Sequence, residues 1–309
     1  MTNQPSSVSP ANSTSTSAWL LAIRPRTLPA ATSPVLVGSG VAYLQNHFEF
    51  LPALAALLGA LLLQIGANLA NDVFDYKKGT DTSKRMGPTR VTQAGLLTPH
   101  QVLTGMWVTF GLATLIGIYL VWVAGWPIVA IGVASVLAAI AYTGGPYPLG
   151  YNGLGEVFVF IFFGPVAVLG TYFVQSRSIS LLAVWSSIPV GLLITAILVV
   201  NNLRDIATDR EAGKYTIAVR LGVKGTRIEY LLLVGLAYLL PLGLSLTGAM
   251  PWLANLVWLS IPLGLDMIKK VYTLSGRPLN AVLAGTGQLT LVHSLLLVAG
   301  LVLTRLFLH

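Results

Sequence analysis

Residues 51–76 read LPALAALLGALLLQIGANLANDVFDY: an apolar run long enough to cross a hydrocarbon core of ~30 Å, closing in a knot of amides and carboxylates. At about 100° per residue, Asn68, Asn71/Asp72 and Asp75 are spaced i, i+3/i+4 and i+7, so their side chains share one helical face. Further along, a second apolar run leads into Asn201 and Asn202, and Asp205 and Asp209 follow one turn apart. Two apolar helices that each end in the same kind of polar face point to a helical membrane protein whose chemistry sits at one surface.

Composition agrees. The 309 residues are 55% hydrophobic and only 9% charged, too apolar for an ordinary soluble domain. The absence of cysteine excludes disulfides, thiolate metal sites and a cysteine nucleophile. The net charge of +8 does not imply nucleic acid, because the basic residues sit in short loops between apolar runs. Residues 1–17 are rich in Ser, Thr, Asn and Pro and read as a disordered tail; residues 18–309 form a single transmembrane domain.

Apolar runs near 28–46, 51–72, 101–124, 126–144, 154–175, 179–203, 228–247, 249–268 and 281–308 predict an all-α bundle of nine spans. With the amino terminus inside, all but Arg177 and Arg305 of the 18 basic residues fall on the cytoplasmic side, the asymmetry that sets orientation. All but Glu49 of the ten acidic residues lie at or just past the same ends. The chemistry is therefore expected at the cytoplasmic face.

Four carboxylates meeting at a partly dehydrated surface repel by roughly 3 kcal/mol per pair at about 6 Å and an effective dielectric near 20, so a positive group must offset them. Asp and Asn without His or Cys select a hard cation, and Mg²⁺ takes one or two carboxylates, waters and substrate phosphate. The two clusters can then hold a diphosphate between them, with Arg85, Arg90, Lys214 and Arg220 neutralising the remaining phosphate charge. A lone Asp at a helix end is ordinarily just a solvated terminus, and the macrodipole there disfavours anions. Matched pairs, each preceded by Asn, favour metal binding.

Asn68-x-x-Asn71-Asp72-x-x-Asp75, with Asp205-x-x-x-Asp209 and the run from Gly213-Lys214 to Arg220-Leu221-Gly222, resembles the UbiA superfamily of intramembrane prenyltransferases. The pattern departs once: the further Asp expected four residues after Asp75 is Gly79, and the next carboxylate is Asp81. That spacing, the run from Gly87-Pro88-Thr89-Arg90 to Leu97, and Tyr142-Thr143-Gly144-Gly145-Pro146 ahead of Gly155-Glu156 are similar to its dihydroxynaphthoate branch. The resemblance implies transfer of a polyprenyl group from its diphosphate to 1,4-dihydroxy-2-naphthoate, with loss of the carboxylate, giving demethylmenaquinone. It implies a bacterial cytoplasmic (inner) membrane protein surrounded by lipid, with no obligate protein partner. Its site would use Asn68, Asp72 and Asp75 for one Mg²⁺ and Asp205 and Asp209 for another. Lys214 and Arg90 would contact diphosphate, Tyr142 would face the allylic cation through its π system, and Glu156 and Asn202 would assist at the ring or the metal.

The rival from another class is an ion-coupled carrier, whose charged residues should lie near the bilayer midplane. The second span is about 33 Å long at 1.5 Å per residue, which puts Asp72 at its end. Within the enzyme class, a phytyl donor or a 4-hydroxybenzoate or homogentisate acceptor are the alternatives.

Overall fold

The computed structural model describes residues 15–80 and 86–308, all of them helix or connecting turn. Of the expected tail, 1–14 lie outside the described residues and 15–17 already belong to α1 (Ser15–Ile23). A left-handed Arg24 turns the chain into a short 3-10 turn and α2 (Leu28–Leu44), and α3 (Phe50–Lys77) follows. Next come α4 (Pro99–Ala124) and α5 (Pro127–Ala141). One span, Gly155–Ser176, is α6 (Gly155–Ile161), a π turn around Pro165 (Phe162–Val166) and α7 (Ala167–Ser176). The ring nitrogen of Pro165 cannot donate to the preceding turn, and the helix passes this point through a π turn. The chain ends with α8 (Leu181–Glu211), α9 (Ile217–Leu246), a 3-10 segment (Trp252–Ser260) with α10 (Ile261–Thr273), and α11 (Leu279–Leu308).

The starts of the site-bearing helices are written locally. Ser180 accepts the Ala183 N–H ahead of α8, Thr216 accepts the Val219 N–H ahead of α9, and Thr98 with Gln101 makes a capping box on α4. Among the described residues six helices are long and apolar enough to cross a membrane. α2 has 17 residues, α5 has 15, and the expected eighth span is split between 3-10 and α-helix, so these three runs are shorter or less regular than the pattern predicted.

Two packed groups flank a central space. On one side α1, α3 and α4 close around Leu69, Val73, Met106 and Phe110 together with Val91 and Leu97 of the following loop. On the other, α8 runs through a core shared with α2, α9 and α11. Lipid is as apolar as leucine, so helices here gain by close contact and not by escape from water. Glycine permits that contact: a Cβ on Gly66 would lie 2.3 Å from Phe110, one on Gly38 2.6 Å from the Val168 carbonyl, and Gly164 meets Gly191. α5 is the loosely held member, with Ile128 its one buried residue, and it forms a thin wall of the space between the groups.

Candidate active site

Both acidic helix ends open on one cavity of about 790 Å³. Asn68, Asn71, Asp75 and Arg90 border it from one side, and Asn201, Asn202, Asp205, Asp209 and Lys214 from the other, with Tyr142 between them. From Asp75 to Ala56, another lining residue, α3 advances 19 residues, so the cavity extends about 28 Å away from the aspartates at 1.5 Å per residue. That length is walled almost entirely by apolar and small side chains. An ionic head with an apolar tail is the shape the lining describes.

The first cluster divides its labour. Asp75 pairs with the buried Arg90 at 2.7 Å and accepts the Tyr151 hydroxyl on its other oxygen. Asp72, 1% exposed, does not border the cavity. Its carboxylate accepts the backbone N–H groups of Val91 (3.2 Å) and Thr92 (3.0 Å) and lies 3.7 Å from Arg24. Asn68 faces the cavity, yet its amide donates to the Ile23 carbonyl and the Thr27 hydroxyl, both at 2.9 Å, and accepts from Gln64. Asn71 borders the cavity too and accepts a hydrogen bond from Thr143 at 3.0 Å.

In the second cluster Arg204, 2% exposed, donates to both oxygens of Asp205, to Asn201 and, at 2.6 Å, to Asn280 of α11. Asn280 in turn donates to the Met86 carbonyl, so Asp205 is oriented by a chain that reaches α11 and the loop beyond residue 85. Asp209 lies 3.4 Å from Lys214. Asn202 donates to Glu156 at 2.8 Å, and Glu156 is buried behind it without bordering the cavity. Arg220 also stays outside, its guanidinium spent on the carbonyls of Tyr215 and Asn152. Arg85 lies outside the described residues.

Tyr151, which no local pattern singled out, joins the two halves. Its hydroxyl donates to Asp75 and contacts Thr80 at 2.9 Å, while Lys214 of the opposite cluster stands 4.5 Å from its ring centroid. Lys78, just past the end of α3, lies 5.3 Å from the same ring; loss of solvent draws its ammonium below the ordinary lysine value against the pull of Asp75. A second residue unmarked by the sequence is Arg26. Arg24, Arg90 and Lys214 each face an aspartate, but among the described residues Arg26 borders the cavity with no acidic partner.

The donors suit a hard divalent ion. Asn71, Asp75, Asn201, Asp205, Thr208 and Asp209 present oxygen, and no group of three acidic or imidazole side chains gathers among the described residues. Such an ion commonly takes one or two carboxylates and completes its shell with phosphate and water.

Known proteins resemble this chain in sequence and in shape. Residues 31–273 match the UbiA prenyltransferase family. The chain is 41% identical over 290 residues, 93% of its length and 98% of the relative's, to the 1,4-dihydroxy-2-naphthoate octaprenyltransferase of Mycobacterium tuberculosis. It is 34% identical to the enzyme of that name from Bacillus subtilis, covering 93% and 92% of the two chains. An apo UbiA homologue from Aeropyrum pernix superposes with a TM-score of 0.67 at 16% identity, over 89% of this chain and 97% of that one. A homologue from Archaeoglobus fulgidus, determined with DMAPP and Mg²⁺, gives 0.64 at 11% identity over 91% and 99%. A carrier is therefore excluded, and the chain belongs to the UbiA prenyltransferase family.

Proposed function

We propose that this chain transfers a polyprenyl group from polyprenyl diphosphate to 1,4-dihydroxy-2-naphthoate in menaquinone biosynthesis. The observation that carries the reading is the single cavity joining two polar helix ends to a long apolar tunnel; the names of the relatives identify the ring. The bond between the allylic carbon and diphosphate breaks, the ring forms a bond to that carbon, and the acceptor's carboxylate leaves as CO₂. The product is demethylmenaquinone in its quinol form, with diphosphate released.

Asp75 with Asn71, and Asp205 with Asp209, would hold Mg²⁺, which when bound supplies Lewis-acid stabilisation of the departing diphosphate. Lys214 and Arg90 supply fixed positive charge beside it, worth most where water is excluded. Apolar helices shield the allylic cation, and the Tyr142 ring borders the cavity where that charge develops. Asp72 acts one step back: by fixing the N–H groups of Val91 and Thr92 it places the adjacent Arg90 against Asp75. Glu156 holds Asn202, and Arg220 braces the 152–215 backbone. In this reading α2, α5 and the 252–273 segment complete nine spans. The amino terminus and the site lie on the cytoplasmic side of the inner membrane, as the basic loops suggest.

Purified protein should prenylate dihydroxynaphthoate only with a divalent ion. Full activity after EDTA treatment, or turnover of benzoate-type rings alone, would be incompatible with this function. Arg26 is positioned to bind the acceptor's carboxylate, since a planar guanidinium matches it bidentately. Arg26→Gln should raise KM for the naphthoate about tenfold or more, the value of a charged hydrogen bond, and leave KM for the diphosphate unchanged. A rise in the diphosphate KM instead would reassign Arg26 to the other substrate.

A further inference from the structure

Glycine is the least favourable helix residue apart from proline, and where it occurs inside a membrane helix it usually lets another helix approach. Gly38, Gly66, Gly164, Gly191 and Gly300 serve that purpose here, since a Cβ on any of them would meet a neighbour at 3.0 Å or less. Four others do not. Gly59 of α3, Gly117 of α4, Gly132 of α5 and Gly170 of α7 all border the cavity. A Cβ on Gly117 or Gly132 would meet nothing within 4 Å, and one on Gly59 or Gly170 would make only ordinary contact at 3.7 Å with Ile116 or Ile131. Each sits about 8–14 Å, at 1.5 Å per residue, from the end of its helix opposite the aspartates. Four helices thus remove their side chains in the part of one tunnel that lies away from the aspartates.

We infer that these glycines form a waist that lets a long prenyl tail pass from the reaction chamber into the outer part of the cavity, and so set the upper limit on donor length. This rests on the prenyl-transfer reading, with the tail in the apolar tunnel. At Gly117 and Gly132 an added side chain starts into open space, with no atom within 4 Å of its Cβ. It should exclude long donors and spare short ones: along α3 the waist lies about 24 Å from Asp75 at 1.5 Å per residue, and the two isoprene units of a geranyl tail end well before it.

The experiment compares geranyl and octaprenyl diphosphate as donors for wild type, Gly132→Phe, Gly117→Leu and Gly111→Leu. Gly111 is equally open but does not border this cavity, so its variant controls for the helix. Gly132→Phe and Gly117→Leu should each lower kcat/KM for octaprenyl diphosphate at least about tenfold while geranyl transfer stays within about threefold, inverting the preference. Gly111→Leu should change neither. Should Gly132→Phe fail to fold, Gly117→Leu on the neighbouring helix decides alone. An equal loss with both donors in a folded variant, or undiminished octaprenyl transfer, overturns the waist. Absence of diphosphate release from wild type with either donor would instead overturn the activity beneath it.

Discussion

Asp75→Asn and Asp209→Asn should each reduce kcat by at least about 10³-fold, near the upper end of what removal of one preorganised electrostatic group costs, while the protein remains helical. The substitution preserves volume and leaves an oxygen for the Tyr151 hydroxyl or for Lys214; the charge is what disappears. Asp75 and Asp209 stand on α3 and α8, on opposite sides of one cavity, Asp75 ion-paired with Arg90 and Asp209 facing Lys214. If both hold Mg²⁺ as proposed, losing either carboxylate would weaken the grip on a divalent ion from one side without emptying the other. Diphosphate release measured against Mg²⁺ concentration is the appropriate assay. The required Mg²⁺ should rise for both variants. Rates within tenfold of wild type at saturating metal would show that neither carboxylate carries the chemistry.

Asp72→Ala should act on stability first. The Asp72 carboxylate is the acceptor for two buried N–H groups and lies 3.7 Å from Arg24. Its removal strands those donors, and breaking a buried charged network in this way costs about 3–5 kcal/mol. The melting temperature in detergent should fall markedly. Activity should fall as well, because the loop that carries Arg90 loses its anchor. The discriminating measurement is metal dependence: Asp72→Asn should keep the Mg²⁺ concentration for half-maximal rate within about threefold of wild type, since a positioning residue is not part of the coordination shell. A shift as large as that of Asp75→Asn would make Asp72 a ligand.

Asp72 and Asp75 also show where local reading stops. At about 100° per residue they differ by about 60° around the helix, too little for periodicity to separate their roles. The separation comes from the 90–92 loop, which folds back over α3 and takes up Asp72 while leaving Asp75 to the cavity. Arg220 and Glu156 illustrate the same limit, since their residue types suit a substrate contact but their positions place them behind the wall. Tyr151 was illegible for the opposite reason. Its partner Asp75 is 76 residues away, and nothing in its own neighbourhood is unusual.

The amino-acid sequence by itself determined that the chain is a helical membrane protein whose acidic and amide residues gather at helix ends, with oxygen donors suited to a hard cation. Those properties depend on composition, on runs of about twenty apolar residues and on the 3.6-residue period, all of which are local. Tertiary structure alone decided that the two ends share a cavity, which carboxylates face it, and that Gly59, Gly117, Gly132 and Gly170 line it away from the aspartates. Each of those facts is a relation between residues far apart in the chain. Close packing settles such relations, and no pattern within one helix encodes them.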